Sequence, residues 1–390
     1  MIFHENNSKW PLVPLGEIAT LKRGYDLPVK QRKAGNIPII ASNGQNGSHS
    51  EIKVEGPGVI TGRSGTIGKV HFSDEGFWPL NTALYVKDFH GNDPKWVFYM
   101  LENFKLDRFS QGAGVPTLNR NLVHGELIPL PPLDDQKRIA AILDKADSLR
   151  RKREKVIALN NSFLRSIFLD MFGDPVENPK GWKVNKLEDL SVKISSGSTP
   201  VGGSKVYVKK GIPFLRSQNV WRNRLELDDI VYLDEVTHKK MSKTSLKNRD
   251  LLITKTGRIN TENSSLGRAA MFSGEDDNAN INGHVYMIRL KPEVINEFVL
   301  YIMTTIEYRD YIRSVCVGGI DKRQINKGHL EQFPIIAPPI ELQQQFLEKL
   351  KVIEKQKVAL NKQLVLANNM FAALTQQAFN GELTKQDKVA

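Results

Sequence analysis

Gly62-Arg63-Ser64-Gly65-Thr66-Ile67-Gly68-Lys69 comes nearest, in this 390-residue chain, to a phosphate-handling motif. A Walker loop wraps phosphates in backbone N–H groups; it needs four residues between its glycines, then Lys and a hydroxyl side chain. Here Arg63 stands where the first glycine belongs and Val70 where the hydroxyl belongs. The stretch reads as a tight turn between strands, with Arg63, Ser64 and Lys69 as candidate DNA contacts. Glu51-Ile52-Lys53 has the end of a nuclease carboxylate-x-lysine motif, but no Pro-Asp pair upstream supplies the second acid. An adenine methyltransferase would need an Asn- or Asp-Pro-Pro-aromatic loop to hold a flipped base, and a glycine-rich cofactor loop. The Pro131-Pro132 and Pro338-Pro339 pairs are followed by Leu133 and Ile340 instead. The eight histidines are scattered and the one cysteine, Cys316, has no partner for a metal motif. The expectation is a chain with no catalytic residue, no metal and no bound cofactor.

What its polar stretches do carry is side chains suited to nucleic acid. Arg matches guanine edges, Asn and Gln match adenine edges, and Lys more often holds phosphate. In the first half the candidates are Lys22, Arg23, Asn43, Gln45, Asn46, Arg63, Ser64, Lys69, Gln111, Asn119 and Arg120. In the second they are Arg216, Gln218, Asn219, Arg222, Arg224, Lys255, Thr256, Arg258, Asn260, Arg268, Lys322, Arg323 and Gln324. Any one of these is unremarkable as an exposed loop residue. Their weight is collective, because they cluster at corresponding places in two halves of the chain.

Something must position two such clusters, and the sequence writes it twice. Pro131-Pro132 and Gln136 recur as Pro338-Pro339 and Gln343, 207 positions later, and Leu164, Ile167 and Phe172 recur without a gap as Phe371, Leu374 and Phe379. Ile139, Ile142, Ala146, Leu149, Val156, Phe163 and Ile167 follow the three-four spacing of a helix that winds on another; Phe346, Leu350, Ile353, Leu360, Leu364, Phe371 and Leu374 form the second stripe. Proline pairs precede both starts, acids in the first turn oppose the dipole, and Gly173 and Gly381 mark the ends. Each helix would be roughly 60 Å long at about 1.5 Å per residue. Two equal stripes are most simply satisfied by antiparallel packing on each other as a coiled coil.

The globular parts repeat more loosely. Trp10, Leu15, Glu17 and Ile18 are answered by Trp182, Leu187, Asp189 and Leu190; Ile37-Pro38-Ile39-Ile40-Ala41-Ser42 by Ile212-Pro213-Phe214-Leu215-Arg216-Ser217. Val59-Ile60-Thr61-Gly62 is answered by Leu252-Ile253-Thr254-Lys255, and Asn81 and Tyr85 by Asn282 and Tyr286, ahead of apolar helical segments at 96–101 and 298–303. The offset drifts from 172 at Trp182 to 207 at Gln343, so the heads have diverged while the helices have not. The fold class expected is α+β: a head at 1–132, a spacer helix at 133–172, a linker at 173–182, a head at 183–339, a spacer helix at 340–380 and a tail at 381–390. If both halves are built alike, the end of the second helix near Phe379 lies close to the first head near Trp10.

Lys and Arg total 55 against 43 Asp and Glu, and the net charge of +12 favours a polyanionic partner. A single cysteine permits no intramolecular disulfide and suits a reducing compartment. The start, Met1-Ile2-Phe3-His4-Glu5, is unlike a signal peptide, and no run of eighteen apolar residues follows. A cytoplasmic location without membrane contact is expected.

Two variable heads alternating with two equivalent helices, the Ile-Pro-apolar-apolar-x-Ser strand, the Pro-Pro-x-x-x-Gln helix start and the junction Phe172-Gly173-Asp174-Pro175-Val176-Glu177-Asn178-Pro179-Lys180-Gly181-Trp182 resemble the specificity subunit of type I restriction-modification enzymes. The likeness covers nearly the whole chain and is most specific in the helices and the junction. It implies a non-catalytic subunit whose two target-recognition domains each read half of a split, asymmetric site in double-stranded DNA, with the helices as a ruler. It further implies two methyltransferase subunits that transfer methyl from S-adenosylmethionine to adenine N6, and room for two motor-nuclease subunits. The alternatives are the recognition subunit of a methylation-only complex and, from another class, a coiled-coil scaffold that binds protein alone.

Overall fold

The computed structural model describes residues 10–383 apart from 113, 260, 262, 320 and 321. The chain divides into two compact units: residues up to Ile157 together with those from Ala359 onward, and Ala158–Val358. Both mix helix and strand, an α+β organisation.

The first unit centres on an antiparallel sheet in the order β2 (Thr20–Arg23), β8 (Ala83–Asp88), β5 (Gly58–Gly62), β6 (Val70–Ser73). All of β5 is buried, which is what a short apolar run covered on both faces requires. Beside it β3 (Ile37–Ala41) pairs antiparallel with β4 (Gly44–His49) and parallel with β7 (Trp78–Pro79). Two smaller ladders join β1 (Leu12–Pro14) to β11 (Leu127–Pro129) and β9 (Ser110–Gln111) to β10 (Thr117–Leu118). The helices of this head are α1 (Leu15–Ile18), α2 (Pro94–Phe104) and α3 (Arg120–His124). Asp93 caps α2 by accepting the Trp96 N–H at 2.8 Å, Pro94 occupies its first turn, and Lys105 ends it at φ 55°. Its inner face, Trp96, Val97, Met100 and Leu101, shares one core with Trp10, Leu15, Ile139, Leu143, Ala378 and Phe379.

The second unit repeats the plan. Its main sheet runs β13 (Ser191–Ser196), β22 (Val285–Leu290), β18 (Leu251–Thr254), β20 (Ala269–Met271). Next to it β14 (Ile212–Leu215) pairs antiparallel with β17 (Val231–Leu233) and parallel with β21 (Asn280–Ile281). β12 (Val184–Lys186) pairs with β25 (Pro334–Ile336), and β24 (Lys322–Gln324) lies between β19 (Thr256–Gly257) and β23 (Val317–Gly319). A hairpin of β15 (Val220–Trp221) and β16 (Arg224–Leu225) has no counterpart among the described strands of the first head. The helices are α5 (Glu235–Lys240), α6 (Asn296–Thr304), α7 (Ile306–Val315) and α8 (Lys327–Glu331).

Two 40-residue helices, α4 (Leu133–Phe172) and α9 (Ile340–Phe379), complete the units. The repeated Gln explains how each begins. Buried Gln136 donates to the Pro131 carbonyl at 2.9 Å and to Asn92 at 2.8 Å, and accepts the Asp93 N–H at 2.9 Å. Its copy Gln343 donates to the Pro338 carbonyl, also at 2.9 Å. At the far end of α4, Gly173 turns the chain at φ 78° and the Trp182 indole donates to the Phe172 carbonyl at 2.8 Å, closing the junction on the helix terminus.

In the first unit the opening half of α4 packs beside the closing half of α9, where the Arg150 guanidinium lies 4.7 Å from the Phe371 ring. In the second the closing half of α4 meets the opening half of α9, with Phe168 and Phe172 at 5.4 and 5.6 Å from Phe346 between ring centroids. The helices therefore run antiparallel. The stripe expected along α9 faces inward, with Phe346 and Ile353 buried and Leu350, Leu360, Leu364, Phe371 and Leu374 half-buried. Along α4 the expectation needs correction. Ile139 and Ala146 are buried and Ile142 and Ile167 half-buried, but Leu149, Val156 and Phe163 are 41%, 42% and 59% exposed. The inner face runs one residue later, through Leu143, Arg150, Arg153, Ile157, Asn160 and Leu164 to Phe168 and Phe172. Two arginines and an asparagine interrupt that face, so counting apolar residues selects the row beside it.

Candidate nucleic-acid interface

In the first head three polar stretches from distant parts of the sequence meet at one end of the main sheet. The turn at residues 62–69 joins β5 to β6, with Gly65 and Gly68 at φ 86° and 91°, conformations that favour glycine. This is a strand-to-strand turn, not a helix-borne phosphate loop. Its Gly65 N–H donates to the Pro116 carbonyl at 2.9 Å, and the Leu118 N–H to the Arg63 carbonyl at 2.8 Å, so the β9–β10 hairpin with Gln111 is tied to it. Ser42, where β3 turns into β4, packs on Gly62, which brings exposed Asn43, Gln45 and Asn46 alongside. Arg63 holds its place by donating from Nε to the Asn81 carbonyl at 2.9 Å. Lys69 and Arg23 are exposed, and Lys22 and Ser64 half-buried. Asn119 and Arg120 are partly spent on the fold: Asn119 caps α3 through the Asn121 N–H at 3.1 Å, and Arg120 donates to the Leu21 carbonyl at 3.3 Å.

The second head makes the same junction with other residues. Thr256 and Gly257 follow its central strand and pair with Gln324 and Arg323, so the turn after β18 is tied to the β23–β24 hairpin as the turn after β5 is to β9–β10. Arg258, Lys322 and Gln324 are exposed there. Lys255 is half-buried, its Nζ bonded to Ser196 Oγ and 4.2 Å from the Tyr286 ring, and burial lowers its pKa from the ordinary lysine value. Arg222 and Arg224 lie in and beside the β15–β16 turn, and Arg224 Nε donates to Glu226 at 3.0 Å. Asn260 lies outside the described residues.

Two of the predicted contacts are taken up inside the protein. Asn219 is fully buried; it accepts the Arg216 N–H at 2.9 Å and donates to the Glu226 carbonyl at 2.9 Å and to Asp229 at 2.8 Å. Asp229 also takes Gln218 at 2.8 Å and Arg216 at 3.0 Å, and the Gln218 bond above all, with the Arg216 charge, holds its carboxyl below the usual range. Arg268 is buried too, its Nε donating to the Ser264 carbonyl at 3.0 Å and its guanidinium 3.7 Å from the Trp221 ring. Asn219 and Arg268 shape the surface from beneath. Tyr25, Lys53 and Trp78, by contrast, form a cation–aromatic group on the first head that residue type alone did not single out. Among the described residues no group of three or more His, Cys, Asp or Glu is placed to hold a metal ion, and no helix is long and apolar enough to cross a membrane.

Residues 7–159 and 179–366 match a family model described as Type I restriction modification DNA specificity domain. The chain is 26% identical over 277 residues to the Type I restriction enzyme MjaVIII specificity subunit of Methanocaldococcus jannaschii, a match that covers 67% of this chain and 64% of that protein. It is 23% identical over 304 residues to the StySPI specificity subunit of Salmonella potsdam, covering 72% and 63%. The chain thus spans just under two thirds of the length of these curated relatives. In fold it is similar to the crystal structure of the type I restriction-modification system S subunit from M. genitalium, with a TM-score of 0.61 at 15% identity over 96% of this chain and 97% of that one.

Proposed function

We propose a function from one premise: the chain belongs to the type I restriction modification DNA specificity family. It acts as the sequence-recognition subunit of a type I complex. Each head reads one part of a two-part, asymmetric site in double-stranded DNA, and α4 and α9 set the length left unread between the parts. It carries no catalytic group of its own. Two methyltransferase subunits, drawing on S-adenosylmethionine, place methyl groups on adenine N6 in each part, and two motor-nuclease subunits cut DNA that lacks them, in the cytoplasm where that DNA lies.

The observation that carries the reading is the pair of equivalent junctions. In both heads the turn after the central strand is tied to an antiparallel hairpin, yet the side chains presented differ: Asn43, Gln45, Asn46 and Gln111 with Lys69 in one, Arg258 and Lys322 with Gln324 in the other. A shared frame with unlike reading surfaces suits two unlike target words. The test is to assemble the complex with its methyltransferase partner and sequence the adenines it methylates. A two-part motif is expected, and deleting residues 152–155 from α4 shortens its unread spacer or abolishes methylation. A motif in one piece, or a spacer unchanged by the deletion, refutes the reading.

A further inference from the structure

Tyr25, just beyond β2, is half-buried, and its hydroxyl lies 3.0 Å from that of Tyr85, which is almost wholly enclosed. Exposed Lys53 sets its Nζ 4.9 Å from the centre of the Tyr25 ring and 5.3 Å from that of Trp78. Lys22 brings a second Nζ within 5.8 Å of the Tyr25 ring. Among the described residues neither ammonium is paired with a carboxylate, whereas Asp26 is 3.8 Å from Arg23 and accepts from Asn81, and Glu51 holds Lys33 at 2.9 Å. Two cations are thus concentrated on one aromatic patch, neither in a direct ion pair, with Glu51 near enough to feel the Lys53 charge.

The patch is continuous with the polar junction of the first head. The Tyr25 N–H donates to the Pro79 carbonyl at 2.8 Å, Asn81 bonds the adjacent Asp26, and Arg63 donates to the Asn81 carbonyl at 2.9 Å. What it offers outward is specific in kind. An ammonium already standing over a ring leaves little space there for a stacked base, but it remains a charged donor. Either hydroxyl of the Tyr25–Tyr85 pair can donate to the other, and when Tyr85 does so the Tyr25 hydroxyl keeps its own proton for an outside acceptor. That Tyr85 bond, followed by the charges of Lys22 and Lys53, also holds the Tyr25 phenol below its ordinary range. Two cationic donors and a neutral one gathered about a single ring complement a phosphate oxygen better than any base edge. The second head has a related device, with Lys255 over Tyr286, the counterpart of Tyr85.

We propose that Lys22, Tyr25 and Lys53 clamp one backbone phosphate of the bound duplex, a contact that positions the first head without reading sequence. The proposal rests on the DNA-recognition reading above. Its test uses the complex with the methyltransferase partner, titrated onto a duplex carrying the methylated motif and onto a scrambled duplex between about 50 and 200 mM salt. Lys53→Ala is expected to weaken both duplexes by the same factor and to lower the slope of log affinity against log salt by about one. Lys53→Arg restores both, and Tyr25→Phe weakens both duplexes equally with the slope kept. An unchanged slope and affinity in Lys53→Ala, or a loss confined to the motif duplex, overturns the clamp while leaving the recognition reading intact. Failure of the unaltered complex to bind either duplex overturns both.

Discussion

At the end of α3, His124 shows how a single neutral side chain can tie a helix to a strand. Its Nε2 accepts the Leu21 N–H of β2 at 2.9 Å, a bond that only the uncharged ring can make. Burial, and then the charge of Arg120, lower its pKa from the ordinary histidine value. A lowered folded pKa means that the unfolded chain takes the proton first, so this contribution is complete above the ordinary histidine range and is lost as pH falls through it. Urea unfolding followed from about pH 7.5 to 5.5 is expected to show the first unit weakening, and His124→Gln should shrink that slope; an identical slope in the variant refutes the assignment. The side-chain chemistry of the junctions was legible in the sequence, because Asn43, Gln45, Asn46 and Arg258 need only be polar and exposed. What was not legible was internal use. Asn219 and Arg268 have the composition of contacts, yet their partners, Asp229 and Trp221, are chosen by how loops fold back. The Tyr25 group was missed for a related reason: Lys53 joins Trp78 and Tyr25 only after three segments converge.

Among the elements, the two long helices share a motif that does unequal work. Gln136 makes three hydrogen bonds in a buried setting, one of them to the backbone that starts α2, whereas Gln343 returns to the Pro338 carbonyl from a half-buried one. Leaving the Asp93 N–H and the Pro131 carbonyl unmet should make Gln136→Ala cost about 2 kcal/mol, and Gln343→Ala about half that or less. Denaturant midpoints of the two variants check the order, and equal losses would contradict it. The sequence placed the ends of these helices well, since proline pairs and glycines act locally and each helix does end where they stand. It placed the inner face of α4 one residue too early. Periodicity is blind to a face that keeps Arg150, Arg153 and Asn160, and it prefers Val156 and Phe163, which remain exposed.

The whole molecule is two units, of which the first is assembled from both ends of the chain. Trp10, near the start, shares a core with Ala378 and Phe379 at the close of α9, as Trp182 shares a hydrogen bond with Phe172 at the close of α4. A permutant that joins those outer ends with a short linker and opens at Pro175 is therefore expected to fold, with a helix content by circular dichroism equal to that of the parent; an insoluble or helix-poor product speaks against it. This duplication was legible from the constant offset along the helices and, more loosely, from paired segments of the heads such as residues 37–42 and 212–217, and the shared strand order shows it through insertions such as the β15–β16 hairpin. The discontinuity bears on synthesis as well. The second unit is one uninterrupted stretch and can close once α9 has emerged through Val358, but the core of the first stays open on one side until Phe379 has been made. The head translated first is thus the one finished last, and during that interval its apolar residues are the ones a chaperone would find.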